Sequence, residues 1–211
     1  MKTWREVTEY SDAFGTTLAD TVEIYRVMAA VPLVVLNRST GKRNKIAARW
    51  GFPSPKDWHK PQPIHARAET IVTTKAFAGA FLDGQRGIAI ARTFNEAPNV
   101  EGPTAQHTIT PGKNPVGIAF VWRQFEVGLS VPLTAACMVT VPASKLIATL
   151  PTDRMPAVID PADWPVWLGE REATVDEIKA CLRTLEDPEW TMVKEGSEPL
   201  KPVIQNVLAI L

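Results

Sequence analysis

Pro151-Thr-Asp-Arg-Met-Pro-Ala-Val-Ile-Asp-Pro-Ala-Asp-Trp-Pro-Val-Trp-Leu168 reads as a charged turn, a short extended piece and a capped helix in direct succession. The run before it, Ala135-Ala-Cys-Met-Val-Thr-Val141, has the length and β-branched content of a buried strand. Thr152, Asp153 and Arg154 make the turn, and Ala157-Val-Ile159 returns extended. Asp160 then starts a helix, with Pro161 in the first turn and Asp163 near its positive end. Trp164, Trp167 and Leu168 give that helix an apolar face at spacings of three and four.

Outward from this stretch, composition sets limits. A chain of 211 residues is one domain, here residues 1–195, followed by a tail at 196–211. Apolar content of 45% and charged content of 22% are those of an ordinary water-soluble domain. The formal net charge is zero, so no whole-molecule field announces a polyanionic partner, although a local basic face remains open. Eighteen prolines against 12 glycines suggest short elements joined by turns rather than a helical bundle. The two cysteines, Cys137 and Cys181, have neither metal-ligand spacing nor a disulfide framework. No signal peptide or membrane-length apolar run is visible, and the expectation is a cytoplasmic monomer.

In chain order, Trp4, Val7, Tyr10, Phe14 and Leu18 predict an amphipathic helix over residues 1–20. Residues 24–27 and 31–36 read as strands, and the turn Asn37-Arg-Ser-Thr-Gly-Lys-Arg-Asn44 predicts a hairpin returning through 46–50. The prolines of 51–63 exclude regular structure there. A Thr-capped helix is expected at 73–81, with Phe77 and Phe81 on one face. Residues 87–92 form a buried strand with 93–98 as its polar exit; two more strands fall at 104–110 and 116–122, and a helix at 173–185. Past Glu195 the composition becomes that of a linker, and the apolar end at 203–211 could dock or lie loose. The total is seven or eight strands and four helices: an α+β fold with a mainly antiparallel sheet and peripheral helices.

Four blocks together resemble the SRAP (SOS-response-associated peptidase) family. Trp50-Gly51-Phe52-Pro-Ser-Pro is similar to its W-G-hydrophobic-x-P block, and His65-Ala-Arg67-Ala-Glu69-Thr70 to its N-A-R-x-E-T. Arg86-Gly-Ile-Ala-Ile-Ala-Arg92-Thr-Phe94-Asn95-Glu96 is similar to R-C-L-x-P-x-x-G-F-Y-E-W. Asp153-Arg154-Met155-Pro156 with Trp164 and Trp167-Leu168 resembles D-R-M-P … W … W-L. The resemblance implies a barrel-like sheet architecture and a partner: single-stranded or gapped DNA with abasic sites. It implies capture of the ring-opened sugar's aldehyde by the α-amine and thiol of a cysteine at residue one, with a Glu and a His moving protons. No cofactor and no metal are implied. An α-amine suits this chemistry because its pKa lies near 8, far below that of Lys, and part of it is unprotonated at neutral pH.

The chain departs from the pattern at the chemistry. It begins Met1-Lys2-Thr3-Trp4 without the Cys; His65 stands for the family's Asn and Thr152 for its His. Either the recorded start is an internal Met and a Cys block lies upstream, or the chain is a divergent member without covalent capture. Glu96, His65 and Thr152 are the candidate catalytic set. Arg67, Trp58, Phe52, Lys56, Lys60, Arg92 and Arg154 are the candidate DNA-binding set: cations to neutralise phosphates, rings to stack bases. The competing structural roles are an Arg67–Glu69 pair, a Glu96–Arg92 pair, a core hydrogen bond for His65, and Arg154 paired with Asp153 or a sheet-edge carboxylate. His59, His65 and His107 with Glu69 show no metal spacing. The expected activity is DNA-damage recognition in the SOS response; the rivals are a peptidase-like hydrolase and a scaffold without a ligand.

Overall fold

The structure, a computed structural model, describes residues 4–5, 24–98, 100, 105–112, 115–186 and 189–195. The strands begin with β1 (Trp4–Arg5), β2 (Ile24–Tyr25), β3 (Ala30–Asn37), β4 (Lys42–Trp50) and β5 (His65–Arg67). They continue with β6 (Arg86–Ala91), β7 (Thr93–Glu96), β8 (His107–Thr110), β9 (Val116–Phe125) and β10 (Leu133–Pro142). The last are β11 (Arg154–Pro156), β12 (Val158–Ile159) and β13 (Thr191–Lys194). Three short α-helices accompany them: α1 (Ala78–Leu82), α2 (Trp164–Leu168) and α3 (Val175–Ala180). The fold is mixed α/β with a large, mostly antiparallel sheet and few helices. Among the described residues no helix is long and apolar enough to cross a membrane.

Strand β10 is the axis of the larger sheet. Ala135 through Val141 are all buried, so the strand packs on both faces, as its unbroken apolar run requires. One edge of β10 pairs in parallel with β4 at Ala135 and Ala136, then with β5 from Met138 to Thr140. The other edge pairs with β9 from Leu133 to Met138, then with β11 from Thr140 to Pro142. Since β4, β3, β6 and β9 also pair in that order, hydrogen bonding runs in a ring through β10, β4, β3, β6 and β9.

Both edges open at the same level, and each opening has a local cause. On the first, the chain leaves β4 at Gly51, whose φ of 110° is open only to glycine at low cost. A Cβ there would meet that of Pro61 at 2.3 Å. On the second, Ala157 inserts where β9 and β10 separate: its N–H donates to Val139 O, and its carbonyl accepts from the Ala119 N–H, both at 2.9 Å. The stretch around Arg154 to Ile159 thus closes the sheet, which is why it reads as extended on both sides of a turn.

Helix α2 is positioned by its tryptophans. The Asp160 side chain accepts from the Ala162 N–H at 3.0 Å and caps a 3₁₀ turn (Pro161–Asp163) that runs into α2. The Trp164 indole N–H donates to Ile159 O at 3.1 Å and that of Trp167 to Gly87 O at 3.0 Å. The buried Arg86 donates to Trp167 O and Phe81 O, both at 2.6 Å, tying α2 to α1. Burial pushes its guanidinium down to about 10, still charged at neutral pH.

Several expectations are corrected. Residues 93–98 are not merely a polar exit, because Thr93–Glu96 is strand β7 of a second sheet, ordered β13-β8-β7-β1-β2. Phe94, Asn95 and Glu96 are buried there, so the strand faces the core on both sides. The helix expected over residues 1–20 falls largely outside the described residues; Trp4 and Arg5 are strand, with Trp4 opposite Phe94. The 73–81 helix shrinks to α1 because the Thr73 hydroxyl donates back to Thr70 O at 3.2 Å instead of capping. The 173–185 helix shrinks to α3; its Thr174–Glu177 capping box forms, but Leu182 is buried and Thr184 donates to Pro142 O at 2.8 Å, drawing the chain off the helical path. The proline loop does carry a short ladder: Phe52 N–H to Pro63 O, Gln62 N–H to Phe52 O and Ser54 N–H to Lys60 O. Its donors come from the non-proline residues, and the prolines there need only accept. The tail at 196–211 lies outside the described residues.

Candidate functional site

The two openings of the larger sheet meet the second sheet at one cleft. It has a volume of about 520 Å³ and is lined by Val27, Ile64, His65, Arg67, Glu96, Ala97, Pro98, Gln106, Thr152, Asp153 and Arg154. Each wall comes from a different break in the backbone pattern. His65 and Arg67 sit on β5, where the chain rejoins β10. Thr152, Asp153 and Arg154 form the turn entering β11. Glu96 ends β7, and Gln106 precedes β8. Thus Glu96, His65, Thr152, Arg67 and Arg154 share one cleft although 87 positions separate His65 from Thr152.

Trp50 builds the floor. It is fully buried, donates from its indole N–H to Ile64 O at 3.0 Å, and packs edge-on against Phe120 with ring centres 5.7 Å apart. Its backbone holds the turn before β3 through Met28 N–H to Trp50 O and Trp50 N–H to Ala29 O, fixing Val27 as the opposite wall.

The cations divide. Arg154 is fully engaged: it forks onto Glu69 with Nη1–Oε1 at 2.5 Å and Nη2–Oε2 at 2.9 Å, and reaches Thr140 O at 2.6 Å. Its partner is therefore the sheet-edge carboxylate Glu69 rather than Asp153. Arg67 is exposed and makes no hydrogen bond or ion pair among the described residues, so its guanidinium faces the cleft mouth. Thr152 donates its hydroxyl to Arg154 O at 3.4 Å, and its N–H donates to Leu150 O at 2.7 Å. That residue shapes the turn.

The hydrogen bond from Arg154 holds the Glu69 carboxyl below its ordinary value, against an opposing effect of burial. A depressed carboxylate contributes stability that is fully present above the unfolded pKa of about 4.3 and is lost as pH falls through the lower folded value. Thermal unfolding of the wild type should lose midpoint steeply as pH drops below about 4. Glu69→Gln should begin lower and follow a shallower acid limb; parallel curves would show that the pair carries no such linkage.

The remaining candidates lie outside this cleft. Trp58, Lys56 and Lys60 stand on the proline loop, where Lys56 and Trp58 line a second cleft of about 440 Å³ with Phe125 and Val127. The Arg49 guanidinium stacks 5.7 Å over the half-exposed Trp58 ring and donates to Trp58 O at 2.7 Å. Lys60 is exposed, 3.7 Å from Asp57. Phe52 is turned inward, 3% exposed, with ring centres 5.0 Å from Phe125 and 5.9 Å from Phe77; its neighbours are core rings rather than solvent. Arg92 sits at the β6–β7 junction, away from the described lining of either cleft.

Neither cysteine serves the cleft. Burial raises the Cys137 thiol far above its ordinary value, and its Sγ lies 3.0 Å from Pro63 O. Cys181 is buried beyond α3, and burial followed by the nearby Asp163 charge raises it too. Sequence reasoning missed Gln106 and Val27 as lining residues; neither belongs to a motif or a spacing that announces a site.

Fold and cleft define a mixed α/β protein that gathers a carboxylate, an imidazole and a free guanidinium where two sheets meet. The family model for SOS response associated peptidase (SRAP) matches residues 4–197, and the chain belongs to that family. Membership gives it an SOS-response-associated role in DNA damage and points to DNA as its partner. The solved structures agree in fold. A Bordetella bronchiseptica protein superposes with a TM-score of 0.77 at 16% identity, covering 92% of this chain and 99% of its own. A Bacteroides thetaiotaomicron protein gives 0.68 at 14%, covering 90% and 84%. A phage-related protein from Bordetella bronchiseptica gives 0.67 at 16%, covering 94% and 95%. No curated protein matches the chain in sequence.

Proposed function

We propose that the cleft holds single-stranded or gapped DNA at an abasic site. The observation that carries this reading is the convergence of Glu96, His65 and the unengaged Arg67 on one opening, with a ring-bearing basic loop beside it. Arg67 meets a phosphate, because a guanidinium fork matches two of its oxygens. Lys56 and Lys60 neutralise the flanking backbone, and Trp58, already flattened against Arg49, offers a face to a base. Phe52 supports this loop from the core, and Arg154 holds the cleft's shape through Glu69.

Covalent capture belongs to a form of the chain whose first residue is cysteine. Its neutral α-amine adds to the aldehyde carbon, the carbinolamine loses water, and the thiol closes a thiazolidine on the resulting imine. Glu96 takes the proton released by the attacking amine and returns it to the departing hydroxyl. Strand β1 runs antiparallel to β7 with Trp4 opposite Phe94, so its N-terminal end points toward Glu96. A form without that cysteine binds the strand reversibly.

Both forms, as recorded and with Lys2→Cys, should bind abasic single strands with affinity that falls as salt rises. Only the cysteine form should give an adduct that survives denaturation. Absence of salt-sensitive binding by either form overturns the DNA reading.

A further inference from the structure

Gln106 stands in the cleft with an unmet hydrogen-bonding group. Its side-chain oxygen is buried and has no partner, and its amide makes no side-chain hydrogen bond among the described residues. A buried amide oxygen without a donor is costly, and so is conspicuous in a fold whose buried polar groups are otherwise mostly paired. The residue is nevertheless held in place through its backbone. Its carbonyl accepts from the Glu195 N–H at 2.8 Å. The Glu195 carboxylate accepts from the Asn95 amide and from the Thr108 hydroxyl, locking the strands on either side. A half-turn about the last torsion of Gln106 brings its oxygen to the cleft face without breaking any bond.

The cleft therefore offers a cation at Arg67 and a neutral acceptor at Gln106, near Glu96. Its ligand should carry a phosphate and a hydrogen-bond donor a short distance away. In an intact nucleotide, and in a closed abasic sugar, O4′ is an ether oxygen and can only accept. Ring opening adds a proton to O4′ and breaks its bond to C1′, so the oxygen becomes a hydroxyl donor while C1′ becomes the aldehyde carbon. We propose that Gln106 recognises this freed 4′-hydroxyl and selects the ring-opened sugar. This rests on the strand-binding reading above.

The test compares oligonucleotides that differ at one position: a borohydride-reduced abasic site, which is open-chain and keeps the hydroxyl, and a tetrahydrofuran analogue, which is permanently closed. Wild-type protein should bind the open-chain strand about tenfold more tightly, the discrimination expected from one buried hydrogen bond. Gln106→Met keeps the side-chain shape and removes the acceptor, and should bring that ratio close to one. Its thermal midpoint should not fall, because the unpaired oxygen is gone. Gln106→Glu, which restores an acceptor, should recover the preference. If wild type binds no strand, the strand-binding reading falls and this inference with it. If wild type binds with the preference and Gln106→Met retains it, or if wild type binds both strands equally, the assignment of Gln106 alone is overturned.

Discussion

Replacing Trp167 by Ala is expected to lower the folding free energy by about 4 kcal/mol, read from urea unfolding midpoints at unchanged slope. Trp167 is fully buried, and truncation of a buried Trp costs about 3–5 kcal/mol in transfer and cavity terms together. Two further losses are specific to this site. Gly87 O loses its indole donor, and the buried Arg86 guanidinium loses an aromatic face 5.9 Å away. Since domains of this size are stable by roughly 5–15 kcal/mol, the variant should sit near its unfolding transition at physiological temperature. Trp167→Phe keeps much of the ring and drops only the N–H, so about 1–2 kcal/mol is expected from the orphaned carbonyl. A cost below about 2 kcal/mol for the alanine variant would show that α2 is not held through this residue.

The second large effect concerns chemistry. In the Lys2→Cys form, Glu96→Gln should slow adduct formation with abasic strands by about 10²–10⁴-fold, the usual contribution of a positioned acid–base group. Equilibrium binding of the same strands should change little, because the substitution keeps shape and hydrogen-bonding capacity. Glu96 is 1% exposed at the end of β7, so its carboxylate is shielded from competing water and works at one place in the cleft. An adduct rate within a few-fold of the parent would remove Glu96 from the proton path and move attention to His65 on the facing wall.

How much of this was legible before the structure depends on the range of each interaction. The Asp160 cap, the Thr174–Glu177 capping box, the β3–β4 hairpin and the tryptophan face at 164, 167 and 168 all formed as read. Each is decided within one turn of chain by cap chemistry, turn residues or period. Strand β7 was illegible because it is four residues long, directly follows β6 and is buried on both faces, so neither alternation nor a turn signal marks it. The partner of Glu69 was misjudged for a similar reason. Arg67 lies two residues away and would share a face in a continuing strand. But β5 ends at Arg67 and the chain enters a 3₁₀ turn, which hands Glu69 to Arg154, 85 residues distant. Phe52 looked like a stacking ring because it heads a basic loop; the positive φ at Gly51 redirects the chain and places it on Phe125.

The sequence alone therefore determined family, strand content and the residue types of the site, because blocks such as Asp153-Arg154-Met155-Pro156 and His65-Ala-Arg67 encode local turns and partners that this fold needs. Only the tertiary structure decided which of those residues meet. The cleft exists because β10 changes partner on both edges at one level, a matter of long-range pairing between segments as far apart as Trp50, Ala119 and Ala157. The same pairing leaves Arg67 open, engages Arg154, and brings in Gln106, whose role has no signature until its oxygen is seen buried without a donor.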